Sequence, residues 1–151
     1  MQVSAVKSVS FFGVLAGGIT DIVATNIFLF PVGIAAVLIG HVAQLAKSQQ
    51  PAALAATMHA HPLLYITALF LGCVASVLGG YVAALLSQHD EVLNGALSSF
   101  LCVGMGIYGI IRGGSEPLPV EVAMMPLSVA LAAFGGYLML MAKSRGSKVA
   151  G

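Results

Sequence analysis

Residues 9–39 read VSFFGVLAGGITDIVATNIFLFPVGIAAVLI, and this stretch decides the fold. It runs for 31 residues with one charge, Asp21. A helix needs about 20 apolar residues to cross roughly 30 Å of hydrocarbon at about 1.5 Å per residue. As a single helix this stretch would reach about 46 Å, more than one straight crossing requires. Pro31 lies two thirds of the way along and withholds one backbone hydrogen bond. Two readings follow. One is a crossing to about Phe30 with a bent extension, kinked near Pro31. The other is one long, tilted helix. Two full crossings would each be too short, unless one were re-entrant and shielded by protein.

Three further stretches match the first. Residues 63–86 and 92–111 carry no charge, and 120–142 carries only Glu121, near its start. Over the whole chain 59 % of residues are hydrophobic and 7 % charged, against roughly 25 % charged in a soluble domain. So few charges cannot cover a soluble surface of this size. The composition excludes a soluble domain, a disordered chain and a disulfide scaffold. The expected fold is all-alpha: one domain over 1–151, an integral membrane bundle of four transmembrane helices at 9–39, 63–86, 92–111 and 120–142. The lipid bilayer is its first partner. The opening residues, with Lys7, resemble a signal peptide, but no small-residue cleavage site with a polar sequel follows. They are read as leading into a retained first helix.

Four crossings put both termini on one side, with Lys7, Lys143, Arg145 and Lys148. Lys47 and Arg112 lie on the other. The positive-inside rule then predicts both termini in the cytoplasm and the loop 41–62 outside. Within that loop, 51–60 is an alanine-rich piece that either lies along the interface or extends the adjacent helices. Short loops and the lack of a targeting signal fit a bacterial inner membrane. His89, Asp90 and Glu91 read as a solvated turn between the second and third spans.

Glycine occurs 18 times, about 12 % of residues against a usual 7 %. Spacing of four puts residues on one helix face. Gly13 and Gly17 lead such a row into Asp21 and Thr25. Gly72, Ser76 and Gly80 form another, as do Ser98, Cys102 and Gly106, and Ser128, Ala132 and Gly136. Lipid provides little hydrophobic drive between helices, so close backbone approach at small residues supplies the contact. These rows are expected to glue the bundle and to offer a face for a homo-oligomer or a partner membrane protein. Leu78-Gly79-Gly80-Tyr81 also echoes Phe134-Gly135-Gly136-Tyr137, which hints at two related hairpins, a plan many transporters use.

Asp21 is the one ionisable group well inside a span. Charge at membrane depth is costly and normally faces a bundle interior or a wet cavity. Thr25 shares its face and Asn26 is adjacent, so Asp21, Thr25 and Asn26 form the candidate ion or substrate site. This architecture resembles the small multidrug resistance transporters, which have four helices and one essential acid in the first. That resemblance implies Asp21 as the matching group, where the family uses Glu. Gly79-Gly80-Tyr81-Val82-Ala83-Ala84, followed by Asn94-Gly95, also resembles a short pattern in small bacterial multi-pass membrane proteins of unknown function. It implies no activity.

No metal, cofactor or nucleic-acid partner is expected. His59 and His61 are the nearest approach to a ligand pair, but at that spacing they do not share a helix face. Cys73 and Cys102 sit in apolar runs and read as small packing residues. Nothing resembles a nucleotide loop or a catalytic triad, and six basic residues split between two sides make no nucleic-acid surface. An enzyme is not expected. Two functions remain. The first is a structural or accessory subunit assembled through small-residue faces. The alternative is a small proton- or cation-coupled transporter using Asp21.

Overall fold

Ser10 starts the first helix. Its hydroxyl accepts the backbone N–H of Gly13 at 3.1 Å, satisfying one of the donors a helix start leaves free. The computed structural model describes residues 9–87, 89–112 and 118–149, with the side chains of 146–149 excepted. Lys7 and the side chain of Lys148, counted above for orientation, lie outside this set.

Helix α1 (Phe11–Ile39) is continuous through Pro31 and about 43 Å long. Its 29 residues form one long helix rather than a crossing followed by a separate segment. Gly40 ends it, and His41 turns the chain with a left-handed φ of 49°. A short 3-10 turn at Val42–Gln44 follows. Helix α2 (Gln50–Ala60) then occupies the expected loop, with Pro51 in its first turn. Proline suits that position because its missing N–H would be unpaired there anyway. Helix α3 (Pro62–Leu86) uses Pro62 in the same way.

The third span is broken. Helix α4 (Glu91–Ser98) and helix α5 (Phe100–Ile111) meet at Ser99. The hydroxyls of Ser98 and Ser99 turn back onto the carbonyls of Gly95 and Ala96, each at 2.7 Å. Serine back-bonding of this kind bends helices, and both residues are almost fully buried. Helix α6 (Leu118–Val149) completes the chain and contains Pro126. Four helical stretches, Phe11–Ile39, Pro62–Leu86, Glu91–Ile111 and Leu118–Arg145, are long and apolar enough to cross a membrane. The fold is the all-alpha four-helix membrane bundle that the sequence predicts.

Its interior is made of small and polar residues. Ala36, Ala75, Ala83, Ala84 and Ala132 are buried, while Phe11, Phe30, Leu63, Phe100 and Ile111 stand exposed. The largest fully buried side chains are polar: Asn94, Asp21, Ser98 and Ser99. In water this arrangement would be upside down. In lipid it is expected, because the large apolar side chains face hydrocarbon and small residues let backbones meet.

The glycines show how close that approach is. A Cβ at Gly17 would fall 2.6 Å from the Ala83 Cβ and 2.9 Å from the Ser98 Cβ, so α1, α3 and α4 converge there. Gly80 packs onto the backbone of Ala132, and Gly135 onto that of Val77. The two echoing Gly-Gly-Tyr segments of α3 and α6 therefore pack against each other. At Gly136 a Cβ would meet the Glu91 carbonyl at 2.5 Å.

Candidate functional site

Polar groups gather at two levels of the bundle. The lower one lies where α1 begins. Asn94, fully buried, accepts the backbone N–H of Ser10 at 2.7 Å through Oδ1 and donates to the His89 and Asp90 carbonyls at 2.8 and 3.1 Å. It ties the start of α1 to the turn before α4. Beside it, Lys143 Nζ meets Glu91 Oε1 at 2.9 Å. The expected solvated turn is thus partly wrong: Glu91 is buried and ion-paired across to α6, while Asp90 is exposed. The signal was the basic end of the fourth helix, which the helix count brings back to the same side.

The upper level is built on Asp21, which is 2 % exposed. Its Oδ2 accepts the Ser76 hydroxyl and the Cys102 thiol, both at 3.1 Å. Its Oδ1 accepts longer bonds from Thr25 and Ser76, each at 3.4 Å. Thus α1, α3 and α5 all contribute. Gly79 makes the approach possible, since a Cβ there would sit 2.7 Å from the Asp21 Cβ. Among the described residues no basic side chain pairs with Asp21.

Asp21 also lines a cavity of about 380 Å³ to which all four spans contribute. Thr25, Ser76 and Cys102 stand at its floor. Higher along the helices come Gly72 of α3, Gly106 and Gly109 of α5, and Met124 of α6. Glu121 lines the same cavity. Ser76 and Ser128 each lie one helical turn before the packed pair Gly80 and Ala132, so both stand level with Asp21. Glu121 is seven residues, about 10 Å of helix, further toward the Leu118 end.

Gly13, Gly17, Gly80 and Gly136, expected as packing residues, all meet neighbouring backbone or Cβ atoms on the Ser10 side of Asp21. Gly72 and Gly106, from the same rows, behave differently. A Cβ at Gly72 would meet nothing within 4 Å, and one at Gly106 only the Met125 methyl at 3.4 Å. They widen the cavity instead of closing a helix contact. The bundle is consequently sealed by glycine on one side of Asp21 and hollow on the other.

Of the expected site residues, Asp21 and Thr25 come together. Asn26 does not: it is exposed and its amide donates to the Ile22 carbonyl at 2.8 Å. Ser76, expected only as a packing residue, is an Asp21 ligand, and so is Cys102. Each is a polar member of a small-residue row, the available signal that it served a buried acid. His59 sits in α2 with its ring 5.1 Å from that of Tyr65, and His61 joins α2 to α3. A second cavity, about 450 Å³, is walled by Leu29, Leu54, Met58 and Tyr65 and carries no acid or base. No protein-family model, curated protein or solved structure matches this chain.

Proposed function

We propose that this chain is a small proton- or cation-coupled membrane transporter with Asp21 as the ion-binding group. One observation carries the reading: a buried carboxyl group with hydroxyl and thiol donors, and no basic partner among the described residues, faces a cavity lined by all four spans. Burying an ionised carboxylate is costly unless its charge is balanced. Here the balancing charge is a proton or a cation that enters through the cavity. In this reading both termini are cytoplasmic, supported by Lys143 and Arg145 at the Ser10 end, and the host is a bacterial inner membrane. The test is proton and cation flux into proteoliposomes, comparing the normal chain with Asp21→Asn at equal assembly state. Loss of flux in the variant supports the reading. Absence of flux from the intact, folded protein removes it.

A second reading has its own support. Helix α5 buries no residue, and Gly104, which is exposed, has open space where a Cβ would stand. A structural or accessory subunit would use that face to meet a second copy or a partner membrane protein. Cross-linking from α5 in membranes, with no flux in the same preparation, would favour it.

A further inference from the structure

We propose that Glu121 is a second carboxylate station of the Asp21 cavity, and that it draws cations in from the Leu118 end of the bundle. The inference rests on reading the cavity as a cation site and adds to it a residue, a direction and a sign of charge. Among the described residues, Glu121 and Asp21 are the two acids on the cavity wall, and no base lines it with them. Glu121 is half-buried and has no ion-pair partner among the described residues. Arg112, the base at that end of α5, is turned onto Tyr108, whose hydroxyl accepts from its Nε at 3.0 Å while the guanidinium lies 5.4 Å from the ring centroid. Glu121 is thus left to act on the cavity. The largely apolar wall strengthens its field, because a low-dielectric lining screens a charge less than bulk water does.

The direction follows from the glycines. Below Asp21, Gly17, Gly80 and Gly136 are in contact with backbone atoms of the facing helices, so the helices close on one another on that side. Above it, Gly72 and Gly109 face open space, and Glu121 stands about 10 Å from the Asp21 level. A cation arriving from the Leu118 end meets Glu121 first and Asp21 last. An anion meets two acids and, among the described residues, no base on the cavity wall.

A cysteine reporter tests this without measuring transport. Gly106→Cys places a thiol on the wall between the two acids, where a Cβ fits. It would be made in a Cys73→Ser, Cys102→Ser chain, which retains a hydroxyl donor to Asp21. In oriented vesicles the thiol is labelled with a trimethylammonium methanethiosulfonate or with its sulfonate counterpart. The cationic reagent is expected to react roughly five- to tenfold faster, and only from the Leu118 side. Glu121→Gln should reduce that ratio severalfold, and Glu121→Asp should restore most of it. A ratio near one, a ratio untouched by Glu121→Gln, or equal labelling from both sides overturns the proposal. Absence of flux from the intact, folded protein, with the labelling ratio and its dependence on Glu121 intact, would sink the transport reading and leave Glu121 in its role.

Discussion

Ser76 on α3 gives its hydroxyl to Asp21 on α1, 3.1 Å from Oδ2 and 3.4 Å from Oδ1, across 55 positions of sequence. The bond joins two helices at the floor of the cavity, so it bears on stability and on the candidate site together. Ser76→Ala removes a short bond to a buried acid and should cost about 1 kcal/mol, the usual size for polar contacts between membrane helices. In an Asp21→Asn background the same change should cost less, because one of the two carboxyl oxygens that accept the Ser76 hydroxyl is gone. A double-mutant cycle on unfolding in mixed micelles measures the difference. Equal costs in both backgrounds would show that the two residues are not coupled.

Asn94 holds the other end of α1. Its Oδ1 takes the Ser10 N–H, and its amide ties the His89 and Asp90 carbonyls. Asn94→Ala removes the side-chain partner of the Ser10 N–H and of the His89 carbonyl, both part-buried, while the Asp90 carbonyl keeps the Asn94 backbone N–H, so the cost should be about 1 kcal/mol. Hydrogen exchange should report it locally, as faster exchange of the Ser10 amide while the amides of α3 are unchanged. Uniform acceleration across the bundle would contradict a local tie.

The spans were legible because hydrocarbon thickness acts directly on composition: a run such as 63–86, without one charge, has few other uses. Asp21 was legible for the converse reason, as the one charge where charge is expensive. What escaped depends on neighbours. Spacing of four identifies the small face of a helix but not the helix it meets, so Gly72 and Gly80 looked alike although one borders a cavity and the other Ala132. Ser76 and Cys102 are small as well as polar, and the small-residue reading absorbed them. The break at Ser99 depends on two hydroxyls turning back onto their own helix, a choice that hydropathy does not encode. Glu91 looked like a turn residue because its partner lies 52 positions away.

The Glu91 and Lys143 pair is unequally buried, with side-chain exposures of 11 % and 57 %. Removing one partner therefore differs from removing the other. Glu91→Gln frees a lysine that already reaches water, and should cost no more than about 1 kcal/mol. Lys143→Met leaves a largely buried carboxylate without its cation, and should cost more. The order of the two unfolding midpoints in micelles is the readout. A larger loss from Glu91→Gln would mean that the lysine is the more constrained partner.

The glycines allow the sharpest comparison, since one substitution has opposite consequences at two levels of one helix. At Gly80 a methyl group would run into the Ala132 backbone. A backbone inside a packed helix cannot step aside, so Gly80→Ala should separate α3 from α6 and cost about 1–3 kcal/mol or more. At Gly72, two turns earlier, a Cβ would meet nothing within 4 Å. There the better helix propensity of alanine has nothing to offset it, and Gly72→Ala should be neutral or stabilising by up to about 1 kcal/mol. Its cost should instead fall on the cavity, which loses room directly above Ser76 and Asp21. Gly72→Ala is therefore expected to keep the unfolding midpoint and to slow labelling of a cysteine at position 106, whereas Gly80→Ala lowers the midpoint. If both variants lower the midpoint equally, the bundle is closed at both levels and the hollow above Asp21 does not exist in the membrane.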